Sequence, residues 1–240
     1  MGTMHDARDE RERSERRSEA PSFLLASASP RRRTLLSHLR VPFEVRSVEC
    51  DESIPPGTFA VAAVCELALR KLAAVSDIAA WEYVLTADTV VVAPVNGGDD
   101  ENRAVRSVVG ARSTADSAHA GPGNDAILGK PVDESEAAEY LRLLSGRSHR
   151  VLTGVALYSS HLDETSVDYE TTTVEVAPLS EAEISWYVAG GEWRDAAGGY
   201  RIQEGGSAFV TAVHGSASNV IGLPMRLVYS MLQKHRYPFR

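Results

Sequence analysis

Apolar and polar positions along this chain alternate between two periods, and the switches between them mark out the elements. Residues 23–26 are an unbroken apolar run that reads as a buried strand. Beyond Ser29-Pro30, Leu35, Leu36 and Leu39 fall on one side of a helix predicted over 30–40. A second strand is expected near 43–47. A long helix is expected over 58–78, with Thr58 as its N-cap and Val61, Val64, Cys65, Ala68 and Leu72 at helical spacing. The β-branched run at 83–92 reads as another buried strand. Residues 94–127 show no sustained periodicity and are expected to be a surface insertion. Asp133 with Glu136 opens a helix to Leu144, and Gly146 ends it. Strands are expected at 149–158 and 168–177, and Ser180 with Glu183 opens a helix through Val188. A glycine-rich stretch at 198–206 leads to a short strand near 208–213. Gly222-Leu223-Pro224 opens a last helix through Met231 and Leu232. Helices alternate with strands, but the adjacent strands at 149–177 suggest a hairpin. The class expected is therefore α/β, with a mixed twisted sheet and flanking helices.

Against this frame, several polar residues stand where local stability does not ask for them. Arg31, Arg32 and Arg33 crowd the first turn of the helix opened by Ser29, where the helix dipole disfavours cations. A phosphate ligand would explain them, since backbone N–H groups and guanidinium forks converge there on one anion; the alternative is a solvated basic turn. Asp88 interrupts the most apolar strand and is followed by Thr89. A buried aspartate is costly unless paired or bound to a cation, so it reads as a metal ligand or a base for water, or else as a cap at the strand end. Asp51 and Glu52 could add a carboxylate to a Mg²⁺ site, and Lys71 and Lys130 could add cations. Taken singly, these four read as surface residues. The segment Asp195 to Gln203 combines glycines, the Tyr200 ring and the Gln203 amide in a way that suits either a nucleobase pocket or a tight turn. His149 and His214 have no companion at ligand spacing and are expected to be structural or surface residues.

Composition narrows the classes. The 240 residues carry a formal net charge of −8, which argues against a nucleic-acid-binding face and makes any anion site a local basic pocket. Two cysteines, without CxxC spacing, suggest a reducing, cytoplasmic setting with neither disulfide framework nor zinc site. No apolar stretch is long enough to span a membrane. Residues 1–20 are charged and read as a disordered tail ahead of one domain over 21–240.

The pieces Leu25-Ala26-Ser27-Ala28-Ser29-Pro30-Arg31-Arg32, Ala87-Asp88-Thr89-Val90-Val91 and Gly129-Lys130-Pro131 resemble the Maf family of nucleoside triphosphate pyrophosphatases. So do 144–154, 197–203 and Asn219-Val220-Ile221-Gly222-Leu223-Pro224, in the same order. The resemblance implies two lobes around a cleft, similar to the inosine-triphosphatase type, and often a homodimer. It implies hydrolysis of a nucleoside triphosphate to monophosphate and pyrophosphate with a divalent cation, Mg²⁺ or Mn²⁺. The branch acting on dTTP and UTP fits the Asp-Thr and Tyr-Arg-Ile-Gln segments, and clearance of non-canonical nucleotides is a candidate role. By motif position Asp88 matches the catalytic base. Arg31, Thr89 and Gln203 match positions linked to the base, and Ser29, Arg32, Glu52, Lys71 and Lys130 match the phosphate and metal lining. Arg201 departs from the glycine often found there. The rival reading is a nucleotide-binding regulator of cell division that does not turn its ligand over.

Overall fold

The computed structural model describes residues 22–55, 57–94, 118–120 and 125–239. The expectations for the 1–20 tail and for most of the 94–127 insertion lie outside the described residues. In chain order the elements are β1 (Phe23–Ala26), α1 (Pro30–Ser37), β2 (Glu44–Arg46), α2 (Ala60–Ala73) and β3 (Tyr83–Pro94), then β4 (Ala118–Ala120) and β5 (Asp125–Leu128). They continue with α3 (Glu134–Leu144), β6 (Ser148–Ser159), β7 (Glu164–Val176), α4 (Glu181–Gly190), β8 (Val210–His214), α5 (Ala217–Ile221) and α6 (Met225–Lys234). Among the described residues the strands form one sheet in the order β2-β1-β3-β6-β7-β8, with β5 also on β3 and β4 on β5. β1 runs parallel to β2 and β3, and the other pairings are antiparallel. The mixed α/β class expected from the sequence is what forms.

Local chemistry accounts for most boundaries. Ser29 caps α1 and Pro30 opens it; Asp133 accepts from the Glu136 amide at the start of α3; Ser180 and Glu183 form a full capping box on α4. Four expectations need correction. α1 stops at Ser37, because the chain turns through Arg40 at φ +55°. α2 is shorter at both ends than 58–78. Thr58 donates its hydroxyl to the Pro55 carbonyl at 2.7 Å instead of capping the helix. Asp77, expected near its last turn, pairs with Arg46 on β2 at 2.6 Å. β7 begins at Glu164, not 168: its exposed polar start is held by pairing with β6 rather than by burial. β5 occupies the end of the span expected to be an insertion.

Strand alternation sorts the core. Phe23, Leu25, Leu85 and Ala87 face α1 and α6, while Leu24, Ala26 and Val84 face α2. Further along β3, Val91 packs with α3 and α4, and Val90 and Val92 with Val64 of α2. Two separate cores therefore share one face of β3, and the boundary between them falls at Asp88-Thr89.

Candidate active site

The backbone makes the cleft. β3 pairs with β6 from Tyr83 to Val92. On its other side it pairs with β1 only through Leu85 and with β5 only from Val91. Among the described residues, no strand covers 86–90 on that side, so the sheet opens where two neighbours diverge, the usual place for a ligand in an open α/β sheet. A cleft of about 530 Å³ fills the opening. Ser29, Arg31, Arg32, Glu52, Lys71, Asp88, Thr89, Lys130 and Gln203 all line it. Arg33 and Asp51 do not; the Asp51 carboxylate is exposed and accepts from the Ser53 amide at 2.9 Å. Asp88 is not at a strand end, as the capping alternative required, but in the middle of β3.

Parity places the two central residues on opposite faces of the strand. Asp88 faces α2, where Lys71 donates to its Oδ1. The same ammonium lies 2.7 Å from Glu52 Oε1, and Lys130 Nζ is 3.9 Å from Glu52 Oε2. α2 can lie this close because Gly154 stands opposite Asp88 in the register. A Cβ on Gly154 would sit 2.3 Å from the Val64 carbonyl oxygen. Thr86 fastens the helix further by donating to the Ala68 carbonyl at 2.7 Å. Burial alone would push the Glu52 carboxyl up, but Lys71, with Lys130 and Arg32, holds it below its ordinary value.

Thr89 faces the other way. Its hydroxyl meets Arg32 Nη2 at 3.0 Å and Thr153 Oγ1 at 2.9 Å. Arg32 Nε donates to the Gly222 carbonyl at 2.7 Å. Burial pushes the Arg32 guanidinium down from its usual value, opposed by Asp88 and Glu52; an arginine remains charged regardless. Arg31 is half-buried and donates to the Asp195 carbonyl at 2.9 Å, which ties α1 to the segment holding Gln203. Burial, then Arg201 and Arg32, lower its pKa. The Gln203 amide donates to Glu204 at 3.1 Å.

The charged lining is Arg31, Arg32, Lys71, Lys130 and Arg201 against Glu52, Asp88 and Asp195. That is a local excess of two positive charges in a chain of net charge −8. It is the basic pocket in an acidic protein that an anionic ligand requires. Among the described residues, no group of three or more His, Cys, Asp or Glu side chains gathers as a metal site, and no helix is long and apolar enough to cross a membrane. Glu52 and Asp88 do converge on one ammonium. Two carboxylates at one cation-sized point, completed by substrate oxygens and water, are a donor set that suits Mg²⁺.

The sequence did not disclose everything around the cleft. His149, read as lacking a companion, is 1 % exposed and its Nε2 lies 2.8 Å from the Tyr200 hydroxyl. Burial pushes its pKa down to about 4. Thr153 and Asn219 behind Arg32 were not singled out either. These partners are tens of residues apart, so no local spacing could have shown them.

Solved structures of Ham1 proteins from Staphylococcus aureus and Coxiella burnetii are similar at 13% and 14% identity, each with a TM-score of 0.45. They cover 89% of this chain and 98% and 99% of their own. Among curated relatives, the dTTP/UTP pyrophosphatase of Anaeromyxobacter sp. (strain Fw109-5) is 40% identical over 219 residues, 90% of each chain. That of Salinibacter ruber is 41% identical over 212 residues, 88% of this chain and 89% of its own. The model of the family described as Maf-like protein matches residues 22–235. With that match spanning the sheet, the cleft and every residue of its charged lining, the chain belongs to the Maf family.

Proposed function

We propose that this protein hydrolyses nucleoside triphosphates, dTTP and UTP foremost, to the monophosphate and pyrophosphate. The observation that carries it is Lys71 held between Asp88 and Glu52 at the opening of the sheet, with Arg32 and Lys130 beside it. The names of the relatives above support the reaction and the two bases.

The chemistry follows from the side chains. Arg32, Lys71 and Lys130 neutralise the triphosphate and the departing pyrophosphate, and the charge of the buried Lys71 is little screened there. Glu52 and Asp88 would hold a divalent cation, which when bound adds charge neutralisation of the phosphate oxygens. Asp88 takes the proton of a water that attacks the α-phosphorus. The bond from that phosphorus to the bridging oxygen breaks, and pyrophosphate leaves with the electron pair. Arg31, Tyr200 and Gln203 sit on the Asp195–Gln203 side of the cleft and form the base end.

Incubation with dTTP and Mg²⁺ should yield dTMP and pyrophosphate. Asp88→Asn should lower kcat by about 10²-fold or more, the scale of general acid–base contributions. Orthophosphate release, or turnover unchanged in excess chelator, would sink the proposal. Tight dTTP binding without turnover would favour the regulator instead.

A further inference from the structure

The segment Asn219 to Pro224 has no role in the chemistry above, yet Val220, Ile221 and Gly222 line the cleft and Asn219 is built into the sheet behind it. Asn219 and Thr153 are both 0% exposed and neither lines the cleft. Asn219 Nδ2 donates to the Val151 carbonyl of β6 and to Thr172 Oγ1 of β7, both at 3.0 Å. One side chain thus fastens the turn of α5 across two neighbouring strands.

The direction of every hydrogen bond from there to the cleft can be deduced. The main-chain carbonyl of Asn219 can only accept, and it receives Thr153 Oγ1 at 3.1 Å and the Gly222 amide at 3.0 Å. Thr153 has then spent its proton, so in its 2.9 Å contact with Thr89 it accepts. Thr89 has in turn spent its own, and its oxygen accepts from Arg32 Nη2. Arg32 Nε donates to the Gly222 carbonyl, and Gly222 leads back to Asn219. The chain closes into a ring. Gly222 can aim its carbonyl at Arg32 because its φ of +122° is open to glycine and rarely to other residues. Two N–H groups of the guanidinium are used, and Nη1 has no protein partner among the described residues, in a side chain that lines the cleft.

We propose that Thr153 and Asn219 are positioning residues for catalysis: through the ring they lock the Arg32 fork in place before the triphosphate arrives. This rests on the reading of Arg32 as a phosphate ligand. A long flexible side chain ordered in advance loses less entropy on binding, and a fixed donor needs no reorganisation as charge develops. Thr89, matched by resemblance to a base-reading position, is in this ring a link to Arg32.

The test is a double-mutant cycle on kcat/KM for dTTP with Mg²⁺, with urea unfolding measured on every variant. Thr153→Val keeps the shape and removes the hydroxyl, and it should lower kcat/KM up to about tenfold, the upper scale of a lost hydrogen bond between neutral groups. Thr153→Ser should restore most of it. In an Arg32→Ala background Thr153→Val should change kcat/KM by less than about twofold, because nothing remains to be positioned. Its effect on unfolding should persist in both backgrounds, which a purely structural role cannot separate from activity. If Thr153→Val fails to fold, Thr89→Val cuts the same chain one link closer to Arg32 and should behave alike. An unchanged kcat/KM for the single variant, or the same loss in both backgrounds, would overturn the proposal alone. An Arg32→Ala enzyme as active as wild type would overturn the phosphate reading and this proposal with it.

Discussion

Gly154→Ala is the smallest change that should separate Asp88 from Lys71. The new Cβ would lie 2.3 Å from the Val64 carbonyl oxygen, 2.4 Å from the Val64 carbonyl carbon and 2.8 Å from the Cys65 nitrogen. All three are backbone atoms, so no side chain can swing aside. β6 cannot give way either, since it is paired on one side with β3 and on the other with β7. α2 must retreat, and restoring ordinary contact takes about 1 Å. Overpacking of this kind costs roughly 1–3 kcal/mol. For a chain of this size that lowers Tm by roughly 2–12 °C. A displacement of about 1 Å at a reacting group can cost about 10²-fold in rate. The loss of kcat should therefore exceed anything attributable to unfolded enzyme at a temperature well below the variant's Tm. The assay is initial pyrophosphate release at saturating dTTP beside a thermal melt. Gly190→Ala is the control, because a Cβ there meets nothing within 4 Å at the end of α4. It should leave kcat unchanged and Tm unchanged or slightly raised. Wild-type kcat and Tm in Gly154→Ala would show that α2 is not seated on β6 through this glycine, and the account of how Lys71 reaches Asp88 would fail.

Lys130→Ala should reduce kcat/KM by about 10- to 100-fold, uniformly for every triphosphate, as loss of a contact to phosphate does. Arg31→Ala should instead shift the ratio of dTTP to CTP turnover, since Arg31 is tied to the Asp195 carbonyl beside Gln203; equal losses on both bases would place it at the phosphates. His149 sets a pH dependence. Its folded pKa, pushed down to about 4, lies below the ordinary value near 6.5. The unfolded chain binds the proton first, so stability is complete above about pH 6.5 and declines on acidification toward pH 4, by up to about 3 kcal/mol. The difference in urea midpoint between wild type and His149→Gln should change with pH over that window. A difference independent of pH would show that His149 does not titrate as a buried neutral group.

What could be read in the sequence was what depends on a few adjacent residues. The caps at Ser29, Asp133 and Ser180 are local chemistry, and they appear as expected. The cluster of Arg31 and Arg32 at an unsuitable helix end pointed to an anion, and both line the cleft. The same locality explains the misses. α2 was expected to reach 78 because apolar residues, Ala74, Val75 and Ile78, continue past its end, but Asp77 is claimed by Arg46, thirty-one residues earlier. β7 looked too polar to begin at Glu164, because pairing with β6 leaves no trace in its own side chains.

Asp88 shows most directly what lay between. Its position in an apolar run was visible, so was the cost of burying it, and the strand expected over 83–92 already ran past it, but not that β3 lacks a neighbour on one side at that point. A carboxylate at a strand end needs only a loop around it. One in mid-strand needs a neighbour removed, and the missing pairing at 86–90 supplies that opening. The strand's period of two then gives the adjacent pair its division of labour. Asp88 is delivered to Lys71 and Glu52 on one face, and Thr89 to Arg32 on the other. A one-residue slip of β3 against β6 would exchange the two faces and place the carboxylate against Arg32, away from Lys71. The long pairing of β3 with β6 is thus as necessary to the site as any residue that lines it.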